Sequence, residues 1–315
     1  MKQIKTIAFE NDDCKEEFYS NNQIRYKIII LVIASTSTHY DQFTQCWETY
    51  MNSFPEVRSF FLYADDSIET DIFITKSSIT YKCNESYIPG ILYKTLAGFY
   101  VCKKYLKFDY ILRTNLSSFI HIPRLINRLP CEKIENTVIS CVEALRITND
   151  YPVTPLCNSN ENNKTNENNK TNEDVITFNK LKEWKQCTDV LVNYFEDESI
   201  RISKEYFVFF GGYFILFSED LIDIIISAVF LDNTLDKANI VSLPDDIALS
   251  AILLYYTRPN IVTMIDNSHH CKGEEDPNNY QDNIYHIRNR TDYYLSTRDI
   301  DIENIKKQVI YYYKN

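Results

Sequence analysis

Glycine is scarce in this sequence. At the ordinary usage of ~7%, a chain of this length would hold about 22 glycines, but it has five: Gly90, Gly98, Gly211, Gly212 and Gly273. The sequence accordingly contains no G-x-G-x-x-G dinucleotide loop, no phosphate-binding P-loop and no G-x-S-x-G nucleophile elbow. These absences exclude the protein classes that depend on such loops. Where glycine is this rare, each one is expected at a position that only glycine fits.

Long apolar runs are missing too. The longest, residues 28–34, has the length of a strand and is far shorter than the ~20 residues that span a bilayer. Residues 1–17 are polar and acidic and lack the apolar segment of a secretory signal peptide. We therefore expect no membrane span and a cytoplasmic location.

Positive charge is in deficit. Lysine and arginine number 33 against 44 aspartates and glutamates, which leaves a formal net charge of −11. An acidic chain is repelled by nucleic acid and by anionic membrane surfaces. We therefore expect no nucleic-acid partner.

The cysteines show no metal-site or redox spacing. There are nine, none in a C-x-x-C pair, and an odd number without a signal peptide indicates reduced thiols. The run His269-His270-Cys271 lies in a polar, acidic stretch without a second pair of ligands at the spacing of zinc sites. We interpret this run as a solvated loop.

Strand-like and helix-like segments alternate through the first 145 residues. The run at 27–34 is apolar on both faces, as expected of a central parallel strand. Further strands are predicted at 57–63, 71–75, 79–82 and 109–114, and helices at 41–51, 90–106 and 122–129. This alternation predicts an α/β fold with a mixed, mostly parallel sheet flanked by helices.

The alternation is interrupted by a low-complexity tract. Residues 160–173 contain the hexapeptide NENNKT twice, followed by NE, which predicts a disordered insertion at 158–174. Beyond it, residues 206–217 form an almost entirely apolar run around the glycine pair. Strands are predicted at 261–265 and 284–287, and helices at 221–231, 245–256 and 299–312. We divide the chain into an N-terminal extension (1–26), one domain (27–298) and a C-terminal surface helix (299–315).

Two polar segments in the first half of the chain lie next to predicted elements, one after a strand and one at the start of a helix. Ser35 and Thr36 come after the first strand, at the carboxyl end where α/β sheets bind ligands, although a polar strand-to-helix turn is also ordinary there. The segment ESYIPGILYKT, residues 85–95, places Glu85 before a helix that carries Lys94. A lone lysine on a helix usually faces solvent.

Two further segments are more distinctive. Residues 108–119, FDYILRTNLSSF, are predicted to end a strand near Asn115. Residues 209–218, FFGGYFILFS, place a glycine pair among bulky aromatic residues, which suggests that the backbone approaches a ligand there. The segment LPDDIAL follows at residues 243–249. Its two aspartates come directly after a proline, a position at which aspartates commonly begin a helix.

In this order, the segments resemble the inverting GT-A glycosyltransferases of the β-1,3-galactosyltransferase, N-acetylglucosaminyltransferase and Fringe group, over about residues 27–290. The sequence RTNLSS is loosely similar to glycosyltransferase-like proteins of large DNA viruses, which would place the protein in the host cytoplasm. The resemblance implies a GT-A (Rossmann-like) fold and a hexosyl- or N-acetylhexosaminyl-transferase. Such an enzyme moves a sugar with inversion from a UDP-sugar to a glycan or protein hydroxyl.

The resemblance also implies roles for individual residues. Asp246 matches the catalytic base of the group, and Asp245 would orient it or contact the sugar. Late in the chain, a histidine or basic residue of the segment YHIRNR (285–290) would reach the diphosphate. The donor-binding residues implied in this way are Ser35, Thr36, Glu85, Lys94, Arg113, Thr114, Asn115, Ser117, Gly211, Gly212, His286 and Arg288.

The sequence departs from the group at its metal motif. Asn115-Leu116-Ser117 stands where three aspartates would hold Mn²⁺ or Mg²⁺, and neutral oxygens are poor ligands for such ions. At most Asn115, Ser117 and His286 remain as metal ligands. Either Arg113 and Lys94 neutralise the diphosphate without a metal, or the site is inactive and the fold serves to bind sugar or nucleotide. A purely structural protein is a third alternative.

Overall fold

The structure is a computed structural model that describes residues 4–20, 24–36, 38–130, 134–146, 206–230, 240–241, 243–257, 259–291 and 298–314. The insertion predicted at 158–174 lies outside the described residues. Among the helices in the described ranges, none combines the length and apolarity needed to cross a bilayer.

The described chain alternates strands and helices. The strands are β1 (Ile7–Phe9), β2 (Arg25–Ile33), β3 (Val57–Ala64), β4 (Ile72–Ile74), β5 (Ser78–Tyr81), β6 (Lys107–Asn115), β7 (Ser118–Ile120), β8 (Thr137–Arg146), β9 (Tyr206–Ser218), β10 (Asn260–Thr263), β11 (Ser268–His270) and β12 (His286–Arg288). The α-helices are α1 (Asp12–Ser20), α2 (Thr38–Glu48), α3 (Gly90–Tyr105), α4 (Ile122–Arg128), α5 (Glu219–Phe230), α6 (Asp245–Tyr256) and α7 (Asp299–Tyr313).

Nine strands form one mixed, mostly parallel sheet in the order β1-β4-β5-β3-β2-β6-β9-β8-β10. Pairing is parallel except where β4 meets β5 and where β9 meets β6 and β8. The predicted α/β fold is confirmed, and β2 is a central strand between the parallel neighbours β3 and β6. A strand buried on both faces needs apolar side chains at successive positions, which is why residues 28–33 of β2 are all apolar and buried.

Helices cover both faces of the sheet, each over its own apolar core. One core contains residues of α1, α3, α5 and α6, and the other contains residues of α2, α4 and α7 together with the small sheet β11-β12-β7. Helix α3 packs tightly on the sheet at Gly98, where a β-carbon would lie 2.9 Å from a methyl group of Leu62 and 3.1 Å from one of Leu31. Close helix–sheet packing therefore explains this glycine.

Both ends of the chain are more integrated than the sequence predicts. Within the segment set apart as an N-terminal extension, β1 pairs with β4 in the large sheet, and Cys14 and Phe18 of α1 are buried. The C-terminal helix α7 is not a simple surface helix, because Ile302, Ile305 and Val309 are buried in the core. These three recur every three or four residues, so one face of α7 is apolar.

The interpretation of His269-His270-Cys271 as a solvated loop is wrong. Residues 268–270 form β11, which pairs in parallel with β12, and Cys271 is 4% exposed. The pairing strand lies about 18 residues further along the chain, so the local polarity of the sequence did not reveal it.

Candidate active site

The predicted site segments meet at one edge of the sheet. Strands β2 and β6 run parallel with Ile33 opposite Asn115, and β9 runs antiparallel to β6 with Phe214 opposite Thr114. The loop after β2, the turn after β6 and the glycine pair in β9 therefore all lie at the carboxyl edge of the central strands. This is the edge at which α/β sheets place their ligands.

Asp246 reaches this edge from the first turn of α6. Its Oδ2 accepts a hydrogen bond from the backbone N–H of Gly212 at 3.3 Å, and its Oδ1 accepts one from Ile247 at 2.9 Å. A β-carbon on Gly212 would lie 2.7 Å from Oδ2. The glycine that the sequence suggested for close approach to a ligand thus makes room for this carboxylate.

The surroundings of Asp246 favour its neutral form. Loss of hydration, and then the negative charge of Asp245, raise its pKa to about 7, while the charge of Arg113 and the N–H of Ile247 act in the opposite direction. The carboxyl group therefore exchanges its proton near neutral pH, which suits a general base.

Arg113 and Asp245 form a buried ion pair beside Asp246. The distance between Nη2 and Oδ2 is 2.6 Å, and the two side chains are 4% and 5% exposed. Among the described residues, Nε and Nη1 of Arg113 nevertheless have no hydrogen-bond partner, and Oδ2 of Asp245 accepts no hydrogen bond despite its proximity. Buried donors without partners are costly, so this guanidinium is equipped to bind an anion.

Lys94 does not face solvent, as a lone helical lysine usually does. It is 1% exposed, and its Nζ donates to the backbone oxygen of Ala34 at 2.6 Å and to Glu85 at 2.7 Å. Burial lowers its pKa, and the hydrogen bond to Glu85 opposes that shift. In this arrangement Lys94 fastens α3 to the end of β2, and Glu85 is the more accessible of the pair.

The polar residues at the end of β6 are mostly buried and form hydrogen bonds within the protein. Thr114 is fully buried and donates to the backbone oxygen of Tyr213 at 2.7 Å. Asn115 accepts a hydrogen bond from Ser118 at 3.3 Å, and Ser117 is 8% exposed. These side chains position the turn and offer neutral oxygens at its surface.

His286 is also a structural residue here. It is fully buried, with Nδ1 2.7 Å from Ser268 Oγ and Nε2 3.2 Å from Ser118 Oγ. Burial, together with the positive charges of His270 and Arg288, lowers its pKa well below the ordinary value. Since both ring nitrogens are engaged, His286 has none to offer a metal ion or a diphosphate in this conformation.

The three predicted metal ligands do not fit Mn²⁺ or Mg²⁺. Asn115 and Ser117 supply neutral oxygens, and His286 is engaged at both nitrogens. Such ions prefer several oxygens, with carboxylates among them. The donor set at this turn is therefore unsuited to a hard divalent cation.

The remaining residues predicted to bind the donor lie at or near the carboxyl edge of the central strands. Ser35 is half-buried and Thr36 exposed directly after β2. Arg288 stacks on the ring of Tyr213 at 4.2 Å. Gly211 is buried against that same ring, and a β-carbon on it would lie 2.9 Å from a ring carbon of Tyr213.

The structure adds two residues that the sequence analysis missed. Glu143 of β8 lies beside Gly211, and its charge acts on Asp246. Burial raises its pKa, while Arg288 and a hydrogen bond from Tyr213 lower it. Tyr87 is 67% exposed and lies within the electrostatic range of Asp246. Tyr87 belongs to the segment 85–95 and could have been noticed there, whereas no sequence signal marks Glu143.

Comparisons with known proteins give structural similarity alone. No family model matches the chain, and no curated protein matches it. One similar solved structure is the apo form of WbbM, a bifunctional glycosyltransferase, at 10% sequence identity and a TM-score of 0.39. The similarity covers 91% of this chain and 51% of the other, so the chain spans about half the length of that protein. A likeness this distant carries no information about activity.

Proposed function

We propose that this chain is a glycosyltransferase that moves a hexose or N-acetylhexosamine from a UDP-sugar to a hydroxyl group of a glycan or protein, with inversion. The observation that carries the proposal is the position of Asp246 at the carboxyl edge of the sheet, with its Oδ2 3.3 Å from the N–H of Gly212. Its buried surroundings raise the pKa of this carboxyl group to about 7. It lies within the field of a guanidinium, Arg113, that has two unpartnered donors. A base beside an anion-binding group is what transfer from a sugar diphosphate requires.

The proposed step is a single displacement at the anomeric carbon. The acceptor oxygen forms a bond to that carbon as its proton passes to Asp246. The bond between the carbon and the diphosphate oxygen breaks, and its electron pair leaves with the nucleoside diphosphate. Attack from the face opposite the leaving group inverts the configuration.

Arg113 would compensate the charge of the leaving diphosphate. Its Nε and Nη1 are buried and have no partner in the described part of the chain, and a guanidinium binds phosphate oxygens in a forked geometry. Asp245 holds the guanidinium in place through Nη2. Because the turn at Asn115 is unsuited to a hard cation, we propose transfer without a divalent ion.

The alternative is a catalytically inactive module that binds sugar or nucleotide. Lys94 favours it, because the ammonium group that the resemblance assigns to the diphosphate is committed to Glu85 and Ala34. Such a module would bind a nucleotide-sugar but release no nucleotide.

The test is nucleotide release from a panel of nucleotide-sugars, with and without Mn²⁺ and in the presence of a chelator. Release with a UDP-sugar is expected in all three conditions. Asp246→Asn should lower the rate by ~10²–10⁴-fold and leave donor affinity, measured by calorimetry, within about twofold of the parent. The control is Asp282→Asn, which changes a fully exposed aspartate paired with Arg124. An unchanged rate in Asp246→Asn would overturn the base assignment, and donor binding without release would establish the alternative.

A further inference from the structure

A cluster of three potential metal ligands lies outside the proposed transfer machinery. One ligand atom from each of His269, Cys271 and Glu275 lies within 4.8 Å of the other two, and His269 Nε2 is 2.6 Å from Glu275 Oε2. Zinc–ligand bonds of ~2.0–2.3 Å place tetrahedral ligand atoms about 3–4 Å apart. Small side-chain movements would therefore bring the three groups onto one ion.

We propose that His269, Cys271 and Glu275 bind a zinc ion, with water as the fourth ligand. Imidazole nitrogen, thiolate sulfur and carboxylate oxygen together are the ligand types of zinc sites. The sulfur ligand disfavours Mg²⁺, Ca²⁺ and Mn²⁺, which prefer oxygen. Binding displaces the thiol proton of Cys271 to solvent and leaves the metal redox state unchanged.

Hydrogen bonds within the loop already orient two of the three ligand side chains. Oε1 of Glu275 accepts the backbone N–H of Lys272 at 3.0 Å, which leaves Oε2 directed at His269. The hydroxyl group of Tyr280 lies 3.6 Å from Cys271 Sγ and is placed to donate to a thiolate. Hydrogen bonds of this kind orient ligands around a bound metal.

The cluster is accessible from one side. The side chain of His269 is 38% exposed and that of Glu275 21% exposed, whereas Cys271 is 4% exposed. An ion can enter past the histidine and carboxylate and meet the buried sulfur last.

The site also connects to the C-terminal helix α7. Asn304 of α7 accepts the backbone N–H of Glu275 at 3.1 Å and donates to the backbone oxygen of Gly273 at 2.8 Å. Cys271 Sγ lies 3.1 Å from Asn289, which exchanges two hydrogen bonds with Gln308 of α7. A zinc ion would therefore hold α7 against the rest of the fold.

The experiment measures zinc in the intact chain of 315 residues. The chain is stripped with a chelator, given Zn²⁺, dialysed, and analysed by elemental mass spectrometry. About one zinc ion per chain is expected to remain bound, and thermal unfolding should occur at least about 3 °C higher with zinc than without. With Co²⁺ in place of zinc, a sulfur-to-metal charge-transfer band should appear.

Variants separate this cluster from the other cysteines and acids of the chain. Cys271→Ser should lose both the zinc and the charge-transfer band, whereas Cys46→Ser, at another buried cysteine, should keep both. Glu275→Gln should weaken zinc retention at least tenfold, whereas Glu274→Gln, at the neighbouring carboxylate paired with Lys307, should not. His269→Gln, at the most exposed ligand, provides the same test if Cys271→Ser does not fold.

Two results would overturn the proposal: less than about a tenth of an equivalent of zinc in the parent protein, or equal zinc in the parent and in His269→Gln. Either would identify the cluster as side chains that only hydrogen-bond to one another. None of these substitutions changes Asp246, Asp245 or Arg113, so metal content is read independently of sugar transfer.

Discussion

Asp246 and Gly212 pack so closely that a side chain at position 212 would collide with the carboxyl group. The carboxylate accepts the N–H of the glycine at 3.3 Å, and a β-carbon on the glycine would lie 2.7 Å from Oδ2 and 3.0 Å from the β-carbon of Asp246. The second contact involves an atom next to the helix backbone, so rotating the carboxylate does not relieve it. The glycine pair therefore determines where the proposed base stands.

Gly212→Ala should consequently displace Asp246. We expect a loss of about 1–3 kcal/mol in the free energy of unfolding, as for other overpacked sites, and at least a tenfold loss of nucleotide release. The matched control is Gly273→Ala, because no atom of the residues that the structure describes lies within 4 Å of a β-carbon there. Chemical denaturation and the release assay measure the two effects. If Gly212→Ala behaved like the control, the packing explanation would be wrong.

The rate of transfer should depend on the ionisation of Asp246. A base must be deprotonated to act, and the pKa of Asp246 is raised to about 7, so activity should rise as pH increases through about 7. Asp245→Asn should move this midpoint to lower pH, because the negative charge of Asp245 is the second cause of the shift. The pH profile of kcat/KM measures both. A profile flat between pH 5 and 9 would contradict the assignment.

The same shift has a consequence for stability. Because the folded-state pKa of Asp246 is raised above its unfolded value, the stability contributed by its protonated form is present at low pH and is lost as pH rises through about 7. Asp246→Asn cannot ionise, so its Tm relative to the parent should increase between pH 5 and pH 8. Thermal unfolding at several pH values tests this, with Asp282→Asn as the control. A constant difference in Tm would show that Asp246 carries no raised pKa.

Arg113 links the two aspartates to the proposed anion site. Arg113→Met removes the charge that lowers the pKa of Asp246 and leaves Asp245 buried without its partner. We expect a loss of about 3–5 kcal/mol in unfolding free energy and a weaker affinity for the UDP-sugar. The double variant Arg113→Met with Asp245→Leu removes the whole pair and should recover stability but not affinity. Recovery of both would exclude a role for Arg113 in donor binding.

Lys94 is expected to be a structural residue. Lys94→Met leaves the backbone oxygen of Ala34 without its hydrogen bond, at a cost of about 1–3 kcal/mol, and it frees Glu85. Lys103→Met, at a partly exposed lysine of the same helix, is the control. Denaturation gives the stability change and calorimetry gives donor affinity. A large loss of donor affinity with unchanged stability would instead place Lys94 at the diphosphate.

Much of the fold could be predicted from the sequence because it depends on local patterns. The continuous apolar run predicted β2 as a central strand, and the proline followed by two aspartates predicted the start of α6. Strand direction and burial follow from such patterns because side-chain periodicity reports which faces are covered. The apolar run around the glycine pair, by contrast, carried no secondary-structure prediction, and the structure makes it β9.

The pairings that give these residues their chemistry depend on the tertiary structure. Arg113 and Asp245 are separated by more than 130 residues, and only the placement of β9 and α6 beside β6 makes them an ion pair. The resemblance offered Lys94 and His286 as candidate contacts to the donor, yet both are buried with their nitrogens engaged. A side chain's type and its neighbours along the chain determine secondary structure, whereas its hydration and charge environment are set by residues distant in sequence. For that reason the sequence by itself determined the α/β class of this protein, a sheet flanked by helices. Only the tertiary structure decided the pKa of Asp246.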